Sequence, residues 1–408
     1  MMEKYTVVIP TKNNIDTLRH TLTTCLNQQY QNFEIIISDN CSVDGTGDMI
    51  RSINDSRIKY LRTPRPLSMT QNFEFALSHA REGFVMCIGA DDGLMPNAIN
   101  YVNDIVEKYG VLAVSCQYAH YFWPNVPVAE HGRLTLYGLN VPKNTVEIRE
   151  SAEWLKKTLA FETALYICDL PNLYYGFVHR SIIDKGVKDN IYFRSITPDA
   201  YSAFATAIHL KTYAYSLRPF CIAGISGKSN GLSQMLSGDI AKSFITENAH
   251  PIHSEFVFSP AFEVIMGEAF YQLKDAFPVA CASYKVDIRL MLKKAVQHNK
   301  GKTAAEVFEA AQQMAVKHHL NFGKVKDTTY HKLARFSKLT LKMFRSYLSN
   351  GSWFLGMVDS EKFGVQNVAD AALVLTVLAS ANEGNKFETV KSKFLNRIKT
   401  RIGVKQAK

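Results

Sequence analysis

Cysteine is scarce and unpaired along this 408-residue chain. The seven cysteines (25, 41, 87, 116, 168, 221 and 281) are odd in number, scattered, and never spaced as CxxC. That pattern excludes a disulfide framework or a zinc ribbon and points to a reducing compartment. Long apolar runs are missing as well. The longest near the end, ADAALVLTVLASA at 369–381, falls short of the roughly 20 residues a helix needs to cross a bilayer, and reads as a buried helix. The start, MMEKYTVVIP, passes from charge straight into a strand, without the apolar run and cleavage site of a secretory signal. A cytoplasmic protein is expected. No GxGxxG and no GxxxxGK[ST] follows any strand, which speaks against a dinucleotide oxidoreductase and a P-loop enzyme. Internal repeats and low-complexity tracts are also absent.

What is present is enough apolar material (47%) for a large core, over a length that suggests two domains. The formal charge of +10 is unevenly spread: residues 331–408 hold 14 Lys/Arg against 5 Asp/Glu. The rest of the chain is close to neutral.

The first hundred residues alternate strand and helix over short connections. Strands are expected at 6–10, 33–38, 58–63, 84–89 and 111–117, with helices at 15–28, 44–53, 70–80 and 97–109. Apolar runs without polar alternation describe strands covered on both faces, hence a doubly wound, mostly parallel α/β sheet. Residues 120–150 read as loops with a hairpin, followed by a helix at 151–160, a helix opening at Pro198-Asp199, and one strand over 212–225. Beyond about residue 240 the pattern is helical. The expected division is therefore an α/β domain at 1–238 and an all-helical, basic domain at 239–408.

Three strand ends carry the chemistry. TVVIPTKNN (6–14) offers Thr11 and Asn13, FEIIISDNCSVDGT (33–46) offers Asp39, and FVMCIGADDGL (84–94) offers Asp91 and Asp92. Ligands of open α/β sheets bind at such carboxyl ends. Adjacent carboxylates repel unless a cation or hydrogen-bond donors offset them, and hard oxygen ligands suit Mg²⁺ or Mn²⁺. Asp39 could accept from a nucleobase N–H or a ribose hydroxyl. Ser42 or Asp44 reads as a helix N-cap.

The succession VVIPTKNN, EIIISDNCSVDGT and TQNFEFALSHAREGFVMCIGADDGLMPNAI resembles the family 2 glycosyltransferases of the GT-A fold, well over residues 5–110 and more loosely over 170–230. The resemblance implies an inverting transfer from a nucleoside-diphosphate sugar, with UDP the commonest carrier. It implies Mn²⁺ or Mg²⁺ as cofactor, and a glycan or lipid-linked acceptor, as in bacterial surface polysaccharide synthesis. Pro10, Thr11 and Asn13 match the loop that cradles base and ribose, and Asp39 matches the carboxylate that reads the base. Asn72 matches an asparagine near the donor sugar and phosphates, although Thr70-Gln71 stands where Ala-Arg is usual. Asp91 matches a ribose or sugar contact and Asp92 the metal ligand; Gly89 stands where many members carry a further Asp. Asp199 matches the catalytic base, and Lys228 lies on a Gly-flanked loop of the kind that closes over a diphosphate. His179, next to Arg180 in the same segment, could touch the acceptor or the pyrophosphate, but a histidine beside aromatics more often simply packs.

Two segments, 331–348 and 387–408, set apolar and basic residues on opposite helical sides, as helices at an anionic membrane surface do. A helix packed on its own domain with a solvated basic face fits equally. No nucleic-acid module accompanies the charge. Two other readings stand beside the transferase: a nucleotide-sugar-binding protein that has lost turnover, kept alive by Gly89, and a sugar nucleotidyltransferase.

Overall fold

The structure, a computed structural model, describes residues 2–126, 131–135, 145–163, 166–229, 251–299, 303–321, 357–360 and 363–382. The basic segments 331–348 and 387–408, residue 238 and Asn230 lie outside the described residues.

The expected alternation is present: β1 (Tyr5–Thr11), α1 (Ile15–Leu26), β2 (Phe33–Asp39), α2 (Thr46–Arg51), β3 (Ile58–Arg62), α3 (Met69–Leu77) and β4 (Phe84–Cys87). Val7, Val8 and Ile9 of β1 are fully buried, as are Ile35, Ile36 and Ile37 of β2. Each such side chain contributes roughly 1.5–3 kcal/mol of burial. Because strand side chains alternate, these runs feed two cores. Val8, Ile36 and Val85 pack with α3 on one face, and Val7, Ile9, Ile35 and Ile37 pack with α1 on the other. The sheet is thus wound on both sides.

Eight strands form this sheet in the order β3-β2-β1-β4-β10-β6-β11-β9. The added strands are β6 (Ala113–Cys116), β9 (Val146–Glu150), β10 (Phe177–His179) and β11 (Thr212–Ser216). The first four run parallel, β10 is antiparallel to both neighbours, and β9 closes the far edge antiparallel to β11. A second sheet, β13-β8-β7-β12-β5, is built from β5 (Gly93–Leu94), β7 (Ala119–Phe122), β8 (Arg133–Thr135), β12 (Cys221–Ile225) and β13 (Met357–Asp359). Residues 120–150 therefore contribute strands to both sheets.

One expected strand is two. Residues 212–225 split into β11 and β12, which lie in different sheets. The Ser216 hydroxyl donates to Arg218 O and accepts from Arg218 N, folding a turn, and Pro219 brings no N–H to a ladder.

The C-terminal region is helical, with α8 (Phe262–Ala276), α9 (Pro278–Cys281), α10 (Ile288–His298), α11 (Ala304–Lys317) and α12 (Val368–Asn382). It also supplies β13, which pairs with β8. Met266, Ala269, Phe270 and Leu273 of α8 share a core with Phe204 and Tyr201 of α7 (Pro198–His209). Val368, Ala371 and Leu375 of α12 pack with Tyr121 and Trp123. Packing is thus continuous between the α/β part and the helices. Among the described residues no helix is long and apolar enough to cross a membrane.

Candidate functional site

The chain runs β1, β2, β3 toward one edge and then returns past β1 to β4. That reversal makes a switch point, and the crevice beyond the ends of β1 and β4 is where an open sheet binds its ligand. Pro10, Thr11, Asn13, Asp91 and Asp92 lie at these two ends, with Asp39 on the adjoining strand.

On the β1–β2 side the polar groups hold one another. Asn13 adopts a left-handed backbone (φ 55°). Its N–H donates to Ser42 Oγ at 2.8 Å, and its Oδ1 accepts from Val43 N at 2.8 Å. Asp39 is fully buried. Its Oδ1 accepts from Ser42 N at 2.8 Å, while Oδ2 accepts from Tyr60 Oη at 2.6 Å and Arg62 at 3.0 Å. Thr11 Oγ1 is buried and has no hydrogen-bond partner among the described residues. Asn72 Oδ1 accepts from Ser38 Oγ at 2.6 Å, which ties α3 to the end of β2. Gln71, where the resemblance led one to look for arginine, completes a capping box with Ser68 instead.

Asp44 acts as a local fastener. Its Oδ1 accepts from Thr46 N and Oγ1, and its Oδ2 accepts from Ile15 N at 2.9 Å, the first N–H of α1. Burial opposes its charge, but these bonds hold the carboxyl below the usual range. The N-cap of α2 itself is Gly45 (φ 86°), not Ser42 or Asp44.

The acidic turn divides its two carboxylates. Asp92 is 1% exposed. Its Oδ1 accepts from Gly224 N (2.7 Å) and Tyr175 Oη (2.9 Å), and its Oδ2 from Gly89 N (2.5 Å) and Tyr174 Oη (3.2 Å). Burial, then the charge of Asp91, pushes Asp92 up to about 8, against the pull of these donors. Asp91 is half-buried, and its Oδ2 accepts from the hydroxyls of Ser226 (2.7 Å) and Ser229. Two glycines sit at close approaches here. A Cβ on Gly224 would stand 1.7 Å from Asp91 O, so the backbone there admits no side chain. A Cβ on Gly89 would stand 2.9 Å from Asp92 Oδ2, 2.9 Å from Tyr174 Oη and 3.0 Å from Asp91 Oδ1, and would push these three side-chain ends apart. Gly89 thus gives them room to converge, besides standing where an acid is missing.

Asp199 is half-buried in the first turn of α7, after Pro198. Burial raises its carboxyl above the usual range. Tyr174 bonds the acidic turn through Asp92, and burial, then the charge of Asp92, pushes its hydroxyl well up. Asn172 braces this junction, since its Oδ1 accepts from Tyr174 N (2.9 Å) and Ser202 Oγ (2.8 Å), and Ser202 also bonds Asp199 O.

Lys228 closes the circuit. Its Nζ donates to Asn13 O at 2.8 Å and its N–H to Ser226 Oγ, whose own proton goes to Asp91. A continuous chain of contacts thus joins Asp39, Ser42, Asn13, Lys228, Ser226 and Asp91. His179 and Arg180 belong elsewhere: His179 caps the helix Arg180–Lys185, and Arg180 bonds Leu77 O and Ala80 O at the end of α3. Tyr60, Arg62, Tyr174, Tyr175 and Ser226 escaped the sequence reading, whereas Ser229 lies beside Lys228 on the loop it singled out. Only the doubled tyrosine of LYYG hinted at any of them.

The donor set fits a small hard cation in a minimal way. Mg²⁺ and Mn²⁺ commonly take one or two carboxylates and fill the shell with water and phosphate. Asp91 is the more accessible carboxylate; Asp92 could join only by giving up a donor. Among the described residues no cluster of three or more His, Cys, Asp or Glu forms a ready cage.

Residues 6–169 match the family model "Glycosyl transferase family 2". Over 91 residues (22% of this chain, 36% of the relative) the chain is 34% identical to the UDP-Glc:alpha-D-GlcNAc-diphosphoundecaprenol beta-1,3-glucosyltransferase WfaP of Escherichia coli. Over 128 residues (28% of this chain, 41% of the relative) it is 31% identical to a GalNAc(5)-diNAcBac-PP-undecaprenol beta-1,3-glucosyltransferase of Campylobacter jejuni. The chain thus spans less than half the length of these curated relatives. Among solved structures, S. aureus TarS 1-349 with UDP-GlcNAc aligns at TM-score 0.44 and 13% identity, over 78% of this chain and 93% of that one. Mannosyltransferase PcManGT from Pyrobaculum calidifontis, with GDP-Man and Mn²⁺, aligns at 0.43 and 14%, over 95% and 88%.

Proposed function

Residues 6–169 place this chain in glycosyl transferase family 2, and from that premise we propose that it moves a sugar from a nucleoside-diphosphate sugar to a hydroxyl of a glycan or lipid-linked acceptor, with inversion. The observation that carries the reading is the run of hydrogen bonds from Asp92 through Tyr174 and Asn172 to Ser202 and the backbone of Asp199. It links the donor-side acidic turn to the start of the helix that carries the acceptor-side carboxylate. The glucosyltransferase relatives, one named for UDP-Glc and both for undecaprenol-linked substrates, favour a UDP-sugar and a lipid-linked acceptor in bacterial polysaccharide synthesis.

In this mechanism Asp199 takes the proton of the acceptor hydroxyl, and its raised affinity for protons suits a general base. The acceptor oxygen displaces the nucleotide in one step. Asp39 would reach the base or ribose once Tyr60 or Arg62 yields its hold, Thr11 would offer its unpartnered hydroxyl as that turn opens, and Pro10 and Asn13 shape the loop around them. Asn72 fixes the end of β2, and Lys228 sets a cation beside the departing diphosphate. A divalent ion, when bound, adds charge that stabilises the leaving group. Asp91 would hold it.

A nucleotide-sugar-binding protein without turnover is the second reading, favoured by the four donors that occupy Asp92. A thermal-shift panel of UDP-, GDP-, CDP- and dTDP-sugars, with and without Mn²⁺, separates the cases when paired with a donor-hydrolysis assay. One nucleotide sugar should stabilise the protein in the presence of metal, and Asp91→Ala should abolish that shift. Stabilisation without hydrolysis or transfer would select the binding protein; no shift with any donor would end the proposal.

A further inference from the structure

Asp92 has four donors, and they are not equivalent. Two are backbone N–H groups, from Gly89 and Gly224, which cannot withdraw without unfolding the turns that carry them. Tyr175 donates to Oδ1 at 2.9 Å, and its ring is packed between Tyr118 and Tyr174, each centroid 4.5 Å away. Tyr174 makes the longest bond, 3.2 Å, to Oδ2. Its hydroxyl and Asp91 Oδ1 close on the same Gly89 Cα as Asp92 Oδ2 does, each about 3 Å from where a Cβ would stand. Of the two tyrosines, Tyr174 is the one on this Gly89 face.

We propose that the Tyr174 hydroxyl and a divalent cation compete for Asp92 Oδ2, so that Tyr174 covers the second carboxylate until the cation arrives. The inference rests on the transferase reading, in which a divalent ion binds at the Asp91–Asp92 turn. A carboxylate oxygen committed to a donor must release it, or share a lone pair, before it coordinates a metal. The bond lost is a single hydrogen bond to a carboxylate, and it sets the size of the effect. Gly89 makes the cover possible, because any side chain there collides with the tyrosine hydroxyl.

The test is a calorimetric titration of the full chain with Mn²⁺, with and without UDP, for wild type, Tyr174→Phe and Tyr175→Phe. Tyr174→Phe should tighten Mn²⁺ binding by about ten- to a hundredfold, the worth of one hydrogen bond to a charged group. Tyr175→Phe, on the other oxygen, should change it by less. A thermal melt of Tyr174→Phe and its UDP titration check that the variant is folded and its donor site intact. Unchanged or weaker Mn²⁺ binding by a folded Tyr174→Phe would overturn the cover while leaving the metal site standing. No Mn²⁺ binding by any form, with UDP still bound, would overturn cover and metal site together but not the donor site.

Discussion

Asp199 and Asp92 are both carboxylates raised by burial, yet their surroundings give them opposite work. Asp92 is enclosed by donors from three segments and behaves as a clasp. Asp199 stands half-buried in the first turn of α7, tied through Ser202 and Asn172 to the tyrosine junction. A general base acts in its ionised form, so a raised carboxyl places the loss of activity at higher pH than an ordinary Asp would. The transfer rate should therefore rise with pH through a value above the usual carboxylate range and then level. Asp199→Asn should remove that limb and cost about 10²–10⁴-fold in rate while leaving donor affinity within twofold. A pH–rate profile paired with a donor titration reads both; an Asn variant that kept the wild-type rate would exclude Asp199 as the base.

Among the elements, the return of the C-terminal region to the two sheets is the feature with most consequence. β13 extends the second sheet through β8, and α12 packs on α1 and β5, the strand that directly follows Asp91-Asp92. Val368 lies against Gly93, and a Cβ there would meet its Cγ2 at 2.8 Å. Trp123 sits in the same cluster and donates its ring N–H to Asp91 O at 3.0 Å. The tail therefore buttresses the acidic turn from behind. Truncation after residue 356 exposes Trp123, Tyr121 and Leu134, and should lower stability by on the order of 5 kcal/mol, the burial of two or three large apolar side chains. The accompanying loss should be larger in donor affinity than in Asp199 chemistry. A denaturant melt of the truncated chain with unchanged midpoint would show that the tail does not brace the site.

At the scale of the whole molecule, charge is segregated. The carboxylates of the site belong to a nearly neutral body, whereas the excess of Lys/Arg lies in residues 331–408. We propose that these basic segments hold the protein against an anionic membrane, where a lipid-linked acceptor would be presented; each Lys or Arg near such a surface contributes about 1 kcal/mol and is screened by salt. Pelleting with anionic liposomes should be strong at low ionic strength, weak at high, and absent with neutral vesicles. Pelleting that persists after deletion of 387–408 and neutralisation of the basic residues of 331–348 would refute it.

The residues of the three strand ends, their order, and the doubly wound sheet that gathers them were legible in the chain itself. Each rests on local pattern: uninterrupted apolar runs mark strands buried on both faces, and short polar turns follow them. What only the tertiary structure decided lies between segments far apart. Tyr174 and Gly224 reach Asp92 across 82 and 132 positions, and Lys228 reaches Asn13 across 215. Such bonds leave no periodicity in the sequence, because their partners are chosen by how strands are ordered in the sheets. The same reason hid the return of β13 and α12: a three-residue strand carries too little pattern to announce its partner, and α12, apolar along most of its length, states that it is buried but not against what.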